Sequence, residues 1–298
     1  MSVGLASVLV FSIVLLVYLH MVHQRRVHND NEVNILEINN PETLTDVSEL
    51  RVPFVFRRDV QVIRSSGLTY NGLLEIEDNS SVRVLDISGD VVTSSSKPWN
   101  VFSDALRNGG QKASCENVEW PLKLGRIQPL VERYNDFWKP YMNVCSTNTI
   151  AIGSSGTKTQ FRQSSQGRQY ITCLDGRVNV SLLMSNVSGG DISTDGEDRV
   201  LKNYDTDKET NVLTVTLEVG EVLCVPPYWW YSLVFGECAL TMVSKYRSLA
   251  NYLGNIDTIG MAILRRFNTH KRIMGPSALN DKSHLVAESV LSSVEHIE

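Results

Sequence analysis

The side chains best suited to metal chemistry avoid the middle of this chain. Its six histidines are His20, His23, His28, His270, His284 and His296, so none stands between residues 29 and 269. A transition-metal site built on imidazole therefore finds no ligand across the centre of the protein. The five cysteines, Cys115, Cys145, Cys173, Cys224 and Cys238, are odd in number and contain no Cys-x-x-Cys pair, which reads as small buried thiols in a reducing compartment. The centre does hold two polar and aromatic stretches. One is Thr159-Gln160-Phe161-Arg162-Gln163-Ser164; the other is Tyr228-Trp229-Trp230-Tyr231, behind Pro226-Pro227. A guanidinium such as Arg162 suits an anion, and four adjacent aromatic rings suit a core or a pocket wall.

These residues need elements to hold them. The β-branched run from Val212 to Val219 leads into Gly220, and Val222-Leu223-Cys224-Val225 follows before the two prolines. That is strand, turn, strand and rigid corner. Further strands are predicted over Leu50–Arg58, Ser81–Ile87, Leu182–Met184 and Ala239–Val243. Asn71-Gly72, between Gly67–Tyr70 and Leu73–Ile76, predicts a hairpin turn. A helix is expected to start near Pro98, and the apolar spacing from Trp120 to Tyr141 predicts an amphipathic helix broken at Pro129 and closed by Pro140. Asn186 to Arg199 reads as an exposed acidic loop. The fold class expected is mainly β with flanking helices.

Two stretches carry a resemblance. Gly220-Glu221-Val222-Leu223-Cys224-Val225-Pro226-Pro227-Tyr228-Trp229-Trp230-Tyr231 resembles the second metal-bearing segment of the Jumonji-C branch of the cupins. Ile152-Gly153-Ser154-Ser155-Gly156-Thr157-Lys158-Thr159-Gln160-Phe161-Arg162-Gln163-Ser164 resembles the first. The resemblance spans about Leu50 to Val243. It implies a double-stranded β-helix barrel of the kind that holds Fe(II) and 2-oxoglutarate. Matched residue by residue, Arg162 and Ser164 occupy the places of the proximal His and acidic ligands, or Gln163 and Ser165 in a register shifted by one. Tyr231 stands where the resemblance implies the distal histidine. Thr159 alone remains of the co-substrate set. No metal ligand and no cofactor is expected, and Thr159, Arg162, Gln163, Ser164, Trp229, Trp230 and Tyr231 become candidates for lining a pocket.

The amino terminus is different in kind. Ser2 to Leu19 contains no charged side chain, and the apolar character continues to Val22. About 20 such residues cross a bilayer, and the segment lacks both the basic start and the small-x-small site of a cleaved signal. Arg25 and Arg26 follow at once, which by the positive-inside rule sets the rest of the chain on the cytosolic side. A net charge of −5 and a pI near 5.7 offer no basic surface, so a nucleic acid is not an expected partner.

The organisation expected is thus a single-pass anchor over 2–23, a polar tether over 24–48, a cupin or Jumonji-C-like domain over 49–247, a carboxy-terminal helix over 248–268 and a polar tail over 269–298. The function expected is a membrane-anchored, non-catalytic binding or structural module, with a protein partner or a second copy met through the carboxy-terminal helix. Two alternatives are weighed beside it: an Fe(II)/2-oxoglutarate hydroxylase or demethylase with an atypical site, and a metal-free cupin that binds a small anion.

Overall fold

The computed structural model describes residues 2–24, 32–88, 91–109, 112–184, 191–195, 198–202 and 212–255, together with Gly260 and Leu264. By backbone contacts the chain divides into a first unit, Met1–Asn255, which holds every strand described, and a second, Ile256–Glu298. The carboxy-terminal helix expected over 248–268 is described only in its first turns, and the tail over 269–298 lies outside the described residues.

The unit is mainly β. In chain order it contains α1 (Ser2–Gln24), β1 (Asn34–Ile35), α2 (Pro41–Glu49), β2 (Phe54–Arg57), α3 (Gln61–Ser65), α4 (Tyr70–Leu74), β3 (Ser81–Ser88), β4 (Val91–Pro98), α5 (Trp99–Arg107) and β5 (Ala113–Val118). A 3-10 turn (Trp120–Lys123) and α6 (Gln128–Asn135) then lead into the second half. This comprises β6 (Asn143–Gly153), β7 (Phe161–Gln163), β8 (Arg168–Asp175), β9 (Arg177–Leu183), β10 (Asp191–Asp195), β11 (Asp198–Lys202), β12 (Leu213–Glu218), β13 (Glu221–Val225), β14 (Trp230–Phe235), β15 (Leu240–Ser248) and α7 (Leu249–Gly254).

Two sheets form. The larger runs β1-β2-β13-β8-β15-β6-β5-β3-β4 and the smaller β10-β11-β7-β14-β9-β12. Their inner faces share one core, in which Val55, Ile171, Leu223 and Val243 of the larger sheet meet Val180, Leu182, Leu217 and Leu233 of the smaller. The outer face of the larger sheet carries a second, aromatic core covered by the helices. There Trp138 lies 4.9 Å from Tyr170 and 5.1 Å from Tyr134, and the Arg58 guanidinium sits 3.7 Å over the Phe137 ring. Arg57, at the end of β2, pairs with Glu221 at 3.4 Å.

The chain passes between the sheets at residues in the left-handed region. Gly176 (φ 65) joins β8 to β9, and Gly220 (φ 86) joins β12 to β13. A Cβ on Gly176 would lie 2.4 Å from the Glu237 carbonyl oxygen, so glycine is required there by space as well as by φ.

Four expectations are corrected. Asn71-Gly72 lies inside α4, not in a hairpin: the Thr69 hydroxyl caps the helix by accepting from the Gly72 N–H, and the local helical bonds outweigh the turn propensity. Pro129 starts α6 instead of breaking a longer helix, because proline at a first-turn position sacrifices no intrahelical bond. The tether over 24–48 contains β1, paired parallel to β2, and the start of α2, capped by Asn40 and burying Leu44 completely. The acidic loop over 186–199 contains a hairpin, β10 and β11, paired from Asp191↔Lys202 to Asp195↔Asp198. As for the anchor, α1 is a 23-residue backbone helix, yet counted over the described residues no helix is long and apolar enough to cross a membrane.

Candidate functional site

Strand β7 lies between two neighbours of different origin. It pairs with β11 of the hairpin on one side and β14 on the other, which places Arg162 directly between Val200 and Tyr231. Side chains of directly opposed antiparallel residues share a face about 4.5–5.5 Å apart at Cβ. Arg162 and Tyr231 are therefore neighbours despite their separation in sequence, and both turn to the inner face with Leu182.

The alternation of a strand sends their flanking residues the other way. Gln163, Trp230, Phe161 and Arg199 face outward, where Phe161, Leu183, Leu201 and Trp230 form a small buried cluster. The Arg199 guanidinium lies 5.8 Å over the Trp230 ring and donates to Gln163 Oε1 at 3.1 Å, while Gln163 Nε2 donates to the Tyr228 carbonyl at 2.6 Å. Gln163 and Trp230 thus fasten the hairpin and the entry to β14; they are not part of an inner pocket.

The inner face holds two ion pairs. Arg162 Nε donates to Glu116 Oε2 at 2.8 Å, with the side chains only 4% and 6% exposed. Lys245 Nζ donates to Asp198 Oδ2, and these side chains are also buried. Four separate elements supply the charges. Glu116 lies in a β5 bulge between Cys115 and Val118, where Asn117 takes a left-handed φ of 59°. Lys245 lies on β15 opposite Gln169 and Thr147. Asp198 opens β11, two residues before Val200, and Arg162 comes from β7.

Tyr231 stands among all four. Burial pushes its phenol above its usual pKa, Asp198 and Glu116 push the same way, and Lys245 and Arg162 oppose them. For Lys245 burial alone would lower the pKa, but Tyr231 and Asp198 outweigh it and the ammonium is held above its usual value. The cluster thus gathers two basic and two acidic side chains around one phenol. Glu116 also lines an outer pocket of about 280 Å³ with Ser81, Arg83 and Trp120, which brings this end of the cluster close to the surface.

The remaining candidates have structural tasks. The Thr159 hydroxyl accepts from the Leu233 N–H at 2.9 Å while its carbonyl accepts from the Ser232 hydroxyl at 2.7 Å, stitching the chain before β7 to β14. The Ser164 hydroxyl accepts from the Gln166 N–H, and its carbonyl accepts from Tyr228, whose φ of 66° marks the corner after the prolines. Trp229 packs into the core between the sheets.

Sequence reasoning missed Glu116, Asp198 and Lys245. Period-2 alternation from Val243 signals that Lys245 turns inward, so it was open to reading. Glu116 sits at an irregular bulge and Asp198 in text that reads as loop, so neither carries such a signal. Among the described residues no group of three or more His, Cys, Asp or Glu is placed to hold a metal ion. The chain matches no protein-family model and no curated protein.

Proposed function

We propose that this chain is a membrane-anchored, non-catalytic module of cupin or Jumonji-C type, in which two buried ion pairs and a tyrosine stand where relatives hold a metal. The single observation that carries the reading is the cluster of Arg162, Glu116, Lys245, Asp198 and Tyr231 on the inner face. The barrel assignment is supported by the winding of the chain. From β6 to β15, setting aside the β10–β11 hairpin, the strands form two four-stranded arrays, β13-β8-β15-β6 and β7-β14-β9-β12. Such alternation between facing sheets is what a double-stranded β-helix requires.

Fe(II) does not fit this cluster. A facial triad needs two imidazoles and a carboxylate, and the corresponding positions hold Arg162, Ser164 and Tyr231, with the Lys245 ammonium facing Tyr231 from the opposite sheet. Two fixed cations oppose a third. The small-anion reading is weakened by the same geometry, because Arg162 and Lys245 each already hold a carboxylate.

The anchor is supported by α1 itself. Its side chains from residue 6 to 19 are all exposed, on every face of the helix, and are almost wholly apolar. A helix apolar all round belongs in a core or a bilayer, and among the described residues no core encloses residues 6–19.

The test is iron binding under anaerobic conditions. The native chain is expected to retain no stoichiometric Fe(II), whereas Arg162→His, Ser164→Asp and Tyr231→His combined should bind it, since residues 162 and 164 share a face beside 231. Stoichiometric iron in the native protein would overturn the reading.

A further inference from the structure

We propose that the face bearing Tyr141, Met142, Val144 and Leu249 is a membrane-contacting surface, seated in the headgroup layer of the bilayer to which the anchor reading assigns α1. The proposal rests on the anchor reading and adds to it how the domain meets the lipid.

The patch is built, not scattered. Tyr141 is 88% exposed, Met142 58%, Val144 54% and Leu249 39%. The Leu249 N–H donates to the Met142 carbonyl at 3.0 Å, which ties the start of α7 to the turn before β6. Met142 takes a left-handed φ of 57°, a conformation a non-glycine residue adopts at a cost. Val144 is the residue skipped where the β6–β15 register shifts between Cys145↔Arg247 and Asn143↔Ser248, so the bulge turns it out of the ladder. Two backbone irregularities thus hold apolar side chains toward solvent.

The occupant follows from continuity and chemistry. The backbone of α1 runs beside α7, so the patch borders the helix that carries the apolar segment. Beside Tyr141 and Met142 lies a groove of about 290 Å³ that also holds Arg51, Arg168, Glu49 and Asn251. An aromatic ring with a polar tip, aliphatic neighbours and guanidinium groups is the composition of side chains that lodge at a membrane–water boundary. It is the contiguity of the apolar side chains, beside guanidinium groups, that distinguishes this face from an ordinary solvated surface.

The experiment uses the full chain carrying Cys145→Ser and Cys238→Ser, which removes the exposed thiols. A single cysteine is introduced at Phe11, Met142, Val144 or, as control, Val62 on α3, which is 57% exposed. Each is labelled with a polarity-sensitive fluorophore in vesicles of phosphatidylcholine and phosphatidylglycerol containing a nitroxide-bearing lipid. Folding is checked by the resistance of the buried Cys115, Cys173 and Cys224 to labelling. Quenching is expected at Phe11, Met142 and Val144, at least about twofold above that at Val62, as insertion at the interface requires. Quenching at Phe11 alone overturns the proposal and leaves the anchor. Quenching at the patch without Phe11 keeps the surface and removes the span, and quenching at neither removes both. Shielding at 142 and 144 that is insensitive to the quencher lipid but relieved by dilution identifies a second copy as the occupant and overturns the lipid.

Discussion

Arg162 and Glu116 form the kind of contact whose two halves have opposite energetic consequences. A buried ion pair contributes little net stability relative to apolar residues of the same volume, because desolvation consumes the attraction, while removal of one partner strands the other. Glu116→Gln is therefore expected to destabilise the domain by about 3–5 kcal/mol, and Arg162→Met with Glu116→Leu to be close to neutral or stabilising. Urea unfolding followed by the fluorescence of the buried Trp229 and Trp230 reads both. Equal losses in the single and double variants would show that the pair is not the contact that matters. The sequence disclosed one side of this arrangement and not the other. Arg162 and Tyr231 were legible because each lies in a recognisable strand motif. Their partners were not, because Glu116 sits at a bulge that breaks the alternation identifying inward residues, and Asp198 opens a strand inside polar text that reads as loop.

Elements meet their constraints most sharply where the chain changes sheet. At Gly176 the backbone has a positive φ and the Glu237 and Cys238 carbonyl oxygens stand 2.4 and 2.6 Å from where a Cβ would be. Gly220 has a comparable φ but more room, with the Arg58 carbonyl oxygen at 3.0 Å. Gly176→Ala is expected to abolish or sharply reduce the folded yield, since backbone atoms must move to admit it, whereas Gly220→Ala should fold with a loss nearer the cost of the strained dihedral alone, of order 1–3 kcal/mol. Soluble expression and thermal unfolding of the two variants check the order; a Gly176→Ala protein as stable as Gly220→Ala contradicts it. The strands flanking these glycines were legible from their β-branched runs. Asn71-Gly72 misled because turn propensity is local, while α4 is secured by the Thr69 cap and by the burial of Tyr70, Leu73 and Leu74. Residues 32–49 misled because one well-placed leucine, Leu44, suffices to dock a short polar helix.

For the whole molecule the deciding quantity is the free energy of placing Ser2–Val22 in lipid. The segment contains thirteen Val, Leu, Ile and Phe residues, each favourable by about 0.3–0.6 kcal/mol near a helix centre, for a sum of roughly 4–8 kcal/mol. An arginine at the centre costs about 2.5–3.5 kcal/mol. Phe11→Arg with Ile13→Arg therefore opposes insertion by about as much as the whole apolar segment favours it. The native chain is expected to remain in the membrane fraction after carbonate extraction, and the double variant to pass largely into the supernatant. Arg25 and Arg26, directly after the segment, argue by the positive-inside rule for a domain on the cytosolic side. Protease added outside sealed vesicles whose lumen corresponds to the cytosol should leave residues 32–255 intact until detergent is added, because the domain then lies within. Digestion of the domain without detergent, with the membrane-spanning fragment retained, would place the domain on the other face and reverse the orientation while preserving the anchor. Release of the undigested native chain by carbonate would remove the anchor itself.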